Sequence, residues 1–153
     1  ILASGSDPLV YEYHQLNAPQ DSGDIAFGVT TLYPGVVGTE FYMTKGHFHG
    51  VLETGEVYYT LSGSGLLLTE NQNGHTRWLP LAPGRAAYAA KGFAHRMVNT
   101  GNEPLVCFFA YRADAGHDYK TIEQSGFQKV VLCTDGGGVS IQDNPKKNTG
   151  GRI

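Results

Sequence analysis

Short apolar or alternating runs, separated by turn-forming residues, recur along most of the chain. Asp24–Tyr33 stops at Pro34-Gly35, and Gly38–Thr44 leads into a corner at Gly46. Glu56–Ser62 ends at Gly63-Ser64-Gly65. Leu66–Glu70 and His75–Leu81 flank Asn73-Gly74, a dipeptide suited to the tight turn of a hairpin. Pro83-Gly84 precedes Arg85–Ala89, and Ala94–Asn99 ends in Thr100-Gly101-Asn102. Leu105–Arg112 is the apolar run of a buried strand, and Phe127–Leu132 reads as a closing strand. Strands this short and this regularly spaced predict an all-β sandwich or jelly-roll barrel. Only Asp118–Ser125 reads as a helical turn, with Asp118 as its N-cap. From Asp135 the chain turns rich in Gly, Asn and Lys, which predicts a single domain over residues 1–134 and a loose tail over 135–153.

Composition narrows the function classes. The 153 residues suffice for one domain that buries roughly 68–70% of its unfolded surface. A charged fraction of only 16%, with 21 Gly and 9 Tyr, suits a turn-rich β globule. The net charge of −3 provides no basic footprint for nucleic acid. No apolar run approaches the roughly 20 residues of a membrane span, and no signal-peptide pattern is visible. Two cysteines, Cys107 and Cys133, make no disulfide framework, so a cytoplasmic setting is expected. The chain opens on Ile1 rather than Met, which predicts further native sequence upstream.

The chemistry gathers around His47-Phe48-His49, Glu56 and His95. His-x-His on a strand puts two imidazoles on one face, because strand side chains alternate. A lone strand histidine is more often a surface or core residue than a ligand. Three imidazoles with one carboxylate, however, make a ligand set for a divalent transition metal. Imidazole suits Zn, Cu, Fe and Ni, and carboxylate adds affinity for Mn and Fe. His14 and His75 read as surface residues, and Cys107, Trp78 and Phe109 as packing.

The glycines around these ligands resemble the two motifs of the cupin superfamily. The first motif is matched by His47-x-His49-x6-Glu56-x6-Gly63, with a longer His–Glu spacer and with Gly38 further upstream than usual. The second is matched by Gly92-x2-His95-x3-Asn99, with Ala90 where proline is usual. The longer spacer is shared by one branch. Thr44-Lys45-Gly46-His47-Phe48-His49, Glu56-Val57-Tyr58, His95 to Gly101 and Asp114-Ala115-Gly116-His117-Asp118-Tyr119 together look like the cupin-type phosphoglucose isomerases. The resemblance runs from about Tyr11 to Val131.

That resemblance implies a cupin barrel that dimerises and interconverts glucose 6-phosphate and fructose 6-phosphate. It implies one divalent metal ion per subunit, Fe2+ first, with Zn2+, Mn2+ or Ni2+ as substitutes, held by His47, His49, Glu56 and His95. It places Glu56, Tyr58, Tyr111, His117 and Tyr119 in the site, and Tyr11, Thr30, Thr44 and Gly46 on the substrate phosphate. In such chemistry a metal polarises the carbonyl and stabilises an enediolate, while Glu56 is the candidate base. A hydride shift needs no base and stands beside it. Lys45 could add a charge on the phosphate, but reads first as a solvated strand-end lysine. Another metal-dependent cupin enzyme, such as a dioxygenase, or a non-catalytic sugar-binding cupin are the competing functions. The homodimer is expected to cover each partner's sheet with N-terminal strands.

Overall fold

The computed structural model describes residues 7–147. Its fourteen strands and one helix run in the order β1 (Tyr11–Gln15), β2 (Ile25–Leu32), β3 (Val36–Val37), β4 (Glu40–Phe41), β5 (Phe48–His49), β6 (Glu56–Ser62), β7 (Gly65–Asn71), β8 (Thr76–Leu81), β9 (Ala86–Ala89), β10 (Phe93–Asn99), β11 (Leu105–Arg112), β12 (His117–Asp118), α1 (Tyr119–Ser125), β13 (Lys129–Cys133) and β14 (Val139–Asp143). A five-stranded antiparallel sheet in the order β1-β2-β11-β6-β9 faces a three-stranded sheet, β10-β7-β8. The small pairs β12-β5 and β14-β13-β4-β3 complete the jelly roll.

Alternation decides what lies between the sheets. In β6, Glu56, Tyr58 and Thr60 are buried while Val57, Tyr59 and Leu61 point outward. In β11, Leu105, Cys107, Phe109 and Tyr111 face in. They meet Leu32, Leu67, Leu81, Ala87, Ala89 and Met97 in the main core. The middle strand β7 is covered on both faces. Leu67 enters the main core, while Leu66 and Leu68 enter a second cluster with Phe41, Phe48, Ile122, Phe127 and Val131. This second cluster seats α1 and β13 on the back of the small sheet, which explains the continuous apolar run Leu66-Leu67-Leu68.

Several expectations change in the structure. The run 38–44 is not one strand: Gly38, at a φ of +61°, sits in the turn between β3 and β4, and only Glu40–Phe41 of the run is strand. His47-Phe48-His49 is not an extended strand either. Only Phe48 and His49 form β5, and His47 makes an isolated bridge to His95. The expected loose tail from Asp135 does not hold for residues 139–143. They pair along their length with β13, because Val139 and Ile141 continue the alternation after a Gly-rich turn. The last six residues of that tail lie outside the described residues. Trp78 is about half exposed rather than packed, since β8 is an edge strand, as its Pro80 also permits. Asp118 caps α1 as expected, its carboxylate accepting from the Thr121 N–H at 3.2 Å.

Asn99 closes the end of the barrel that carries the β6–β7 turn. It is wholly buried. Its amide donates to the Leu32 and Glu103 carbonyls at 2.8 and 2.9 Å and accepts from the Gly101 N–H at 2.9 Å. Asn99→Ala strands these backbone groups, each at a cost of about 1–3 kcal/mol. Urea unfolding of the variant is expected to show a midpoint well below that of the parent, with an unchanged slope.

Candidate active site

The four histidine and glutamate side chains reach one point from three elements. The His95 N–H donates to the His47 carbonyl at 3.0 Å and the His47 N–H to the His95 carbonyl at 3.3 Å, which fixes the corner before β5 against β10. Glu56 opens β6 and points inward. One ligand atom from each of His47, His49, Glu56 and His95 lies within 4.8 Å of the others. His49, Glu56 and His95 are buried, and His47 is partly buried.

Backbone carbonyls orient two of the rings. The His49 Nδ1 contacts the Gly116 carbonyl and the His95 Nδ1 the Phe93 carbonyl, each at 3.3 Å. A carbonyl only accepts, so each Nδ1 carries a proton, and in the tautomer that suits a metal ligand each ring turns a bare Nε2 inward. Those nitrogens lie 3.2 and 3.0 Å from Glu56 Oε2. A lone pair against a carboxylate oxygen repels unless a positive charge lies between them. The Nε2 atoms of His47 and His49 are buried without a hydrogen-bond partner. Three inward nitrogens, two of them orphaned, and one carboxylate therefore fit a divalent cation. The donor set is nitrogen and oxygen, with no thiolate among the four residues.

The electrostatics follow from burial. The His47 imidazole is pushed down to about 2 by burial, then by His95 and His117, so it stays neutral. Burial alone would raise Glu56, but His95 first, then His49 and the Tyr58 hydroxyl, outweigh it and hold the carboxyl below the ordinary range. Burial, and then the Glu56 charge, push the Tyr58 hydroxyl well above its ordinary value. Burial likewise takes Tyr111 to about 12 and lowers His117.

A cavity of about 210 Å³ opens onto this cluster. Glu56 and His47 belong both to the cluster and to the cavity wall. Of the other residues expected in the site, Tyr58, Tyr111, His117 and Tyr119, with Tyr11, Thr30, Thr44 and Gly46, line it too, whereas His49 and His95 do not. His117 reaches it because β12 pairs with β5, setting His117 opposite His49. Its ring centre is 4.5 Å from that of His47, and it stacks on Tyr119 at 5.6 Å. Gly46 has a φ of +77°, and a Cβ there would lie 2.9 Å from both Arg96 and Phe127, so only glycine fits.

Tyr13, Gln15, Lys45, Met97 and Phe109 also line the cavity and were not expected there. Tyr13 and Gln15 alternate with Tyr11 along β1, and that period-two pattern is the signal that could have found them. Gln15 Oε1 accepts from the Tyr111 hydroxyl at 3.0 Å. His14 and His75 are at the surface as expected. Cys107 is wholly buried against Thr60.

Known proteins show similar sequences and similar folds. A family described as glucose-6-phosphate isomerase (GPI) matches residues 2–148. The chain is 46% identical over 145 residues to a glucose-6-phosphate isomerase from Pyrococcus horikoshii, covering 95% of the chain and 76% of that protein. It is 45% identical over 140 residues to one from Thermococcus onnurineus, covering 92% of the chain and 74% of that protein. Among solved structures, an oxalate oxidase overlays on 79% of the chain and 60% of its own, with a TM-score of 0.62 and 12% identity. That likeness shows the fold alone, and the fold is that of the cupins.

Metal titration checks the cluster. Chelator-treated protein is expected to take up one divalent ion per chain, read by elemental analysis after gel filtration. His47→Ala and His95→Ala should each weaken uptake by more than the about 10–100-fold lost with an outer partner of a ligand. Full uptake by the doubly substituted protein would place the ion elsewhere.

Proposed function

The chain belongs to the glucose-6-phosphate isomerase family and is an isomerase of glucose 6-phosphate, and we propose that it interconverts this sugar with fructose 6-phosphate in the cavity beside the four-residue cluster. The observation that carries the reading is that Glu56 and His47 face the cluster and the cavity at once. A divalent cation held by His47, His49, Glu56 and His95, Fe2+ ahead of Zn2+, Mn2+ or Ni2+, would polarise the sugar carbonyl and stabilise charge developing on its oxygen.

The protein's own groups supply the rest. Glu56 is ionised and oriented by the Tyr58 hydroxyl, which suits it to carry the proton between C1 and C2. His117 is exposed on one side, and the partial burial of its ring beside His49 lowers its pKa, so it is neutral at pH 7 and able to exchange a proton with a sugar hydroxyl. Tyr111, held by Gln15, and Tyr119 stay protonated and serve as donors. Thr44 Oγ1 accepts from the Met97 N–H at 3.0 Å, which leaves its own proton free for a phosphate oxygen. Tyr11, Thr30 and the Gly46 backbone complete the phosphate side of the cavity. Because a sugar phosphate is too charged to cross a bilayer, the reading carries a cytoplasmic location with it. Among the described residues, no helix is long and apolar enough to cross a membrane.

The reading also includes a two-fold dimer. The outer face of the five-stranded sheet exposes Ile25, Val57, Tyr59, Leu61 and Tyr88. Phe27, Val29 and Phe108 join them through the strand register. This is an apolar surface on the sheet face rather than at the β1 edge. Light scattering at micromolar concentration is expected to give twice the chain mass, and Tyr59→Glu should shift it toward the monomer. A monomer mass for the parent protein would reject the dimer.

Turnover of fructose 6-phosphate under nitrogen, followed with a coupled dehydrogenase, tests the activity. Anaerobic turnover is incompatible with both a dioxygenase and a non-catalytic sugar binder. Glu56→Gln with its metal retained is expected to lose about 10²–10⁴-fold in turnover. Solvent deuterium should enter C2 of glucose 6-phosphate. Near-native turnover of the metal-loaded variant would instead favour the hydride shift.

A further inference from the structure

The charge balance of the cavity points to a residue that the ligand motif does not include. A phosphate ester brings about −1.5 to −2 charges at neutral pH. The one carboxylate among the described residues of the cavity wall, Glu56, belongs to the four-residue cluster, away in sequence from the wall formed by Thr44 and Gly46. Among the described residues that line the cavity, Lys45 is the one permanent cation. Its neighbours Thr44 and Gly46 line the same wall.

Lys45 has a fixed backbone and a movable side chain. Arg96 Nη2 donates to the Lys45 carbonyl at 2.7 Å. The Thr44 N–H donates to the Met97 carbonyl at 2.9 Å, and Gly46 packs against Arg96 and Phe127. The Lys45 ammonium, by contrast, pairs with Glu123 on α1, with both side chains about half exposed. It lies 5.0 Å from the centre of the Tyr119 ring, another cavity wall. An exposed ion pair between two flexible chains is weak. A doubly charged phosphate, held beside it by Thr44 and Gly46, is a stronger partner within reach of the same four-carbon stem.

We propose that Lys45 is a specificity residue for the substrate phosphate, and that Glu123 is its resting partner, displaced when the phosphate arrives. The proposal rests on the isomerase reading above. Glu123 thereby competes with substrate and weakens binding in the parent protein. Tyr119 beneath the ammonium guides its path from one anion to the other.

Four variants and one non-reacting probe test it. Affinity for inorganic phosphate is measured by calorimetry, and KM and kcat for fructose 6-phosphate by the coupled assay. Lys45→Met is expected to weaken inorganic phosphate about ten-fold and to raise KM more than it lowers kcat. Lys45→Arg should recover most of that loss. Glu123→Gln should tighten phosphate and lower KM, and it should do neither when Lys45 is already Met. Unchanged phosphate affinity in Lys45→Met, or a Glu123→Gln effect that persists in the double variant, overturns the proposal. A parent protein that binds phosphate without turning over fructose 6-phosphate overturns the isomerase reading instead, and the phosphate titrations still decide the role of Lys45.

Discussion

The buried carboxylate of Glu56 is the constraint around which the rest of the site is arranged. It is 3% exposed and sits between the His49 and His95 nitrogens. An ionised carboxylate taken out of water is costly unless it is paired and hydrogen-bonded. Two histidines whose outer nitrogens are committed to backbone carbonyls turn only lone pairs toward it. A cation at the centre meets the demands of all four groups at once. The same demand fixes the corner before β5, because His47 enters the cluster only through its two backbone bonds to His95.

Much of the barrel was legible because its strands alternate. Glu56–Ser62 and Leu105–Arg112 are strands with the residue bounds that the apolar pattern marked. Asn73-Gly74 lies in the turn between β7 and β8. The metal cluster was legible as well, since a ligand motif states residue types and spacings that need no tertiary knowledge. Less legible was anything set by a partner distant in sequence. β14 is a strand because β13 offers it a ladder, and its short alternation is hidden behind a Gly-rich turn. β1 escaped notice because Tyr11-Glu12-Tyr13-His14-Gln15 mixes aromatic with polar residues. Its inward positions face a cavity instead of a dry core, so they need not be apolar.

Lys45 shows the same limit from the other side. A strand-end lysine reads as solvated in a sequence, and its side chain is indeed about half exposed. What the sequence cannot display is that, among the described residues, Lys45 is the one permanently cationic side chain lining the cavity. Glu123 comes from a helix more than seventy residues downstream. Charge balance is a property of an enclosed space, and it appears only once the space is drawn.

The register of β6 ties these properties together. Glu56, Tyr58 and Thr60 face inward, and Val57, Tyr59 and Leu61 face outward. A slip of one residue would exchange the two sets, bringing three apolar side chains to the cavity and the carboxylate to the outer face. The slip is opposed on both sides, since β6 is paired to β9 and, apart from a bulge at Leu61, to β11. It is opposed again at the turn, where a Cβ on Gly63 would fall 2.4 Å from the Pro104 carbonyl. The strand that delivers the carboxylate is therefore also the strand that presents the apolar outer face. Catalytic geometry and the proposed dimer surface depend on a single alternation, so neither can drift without the other.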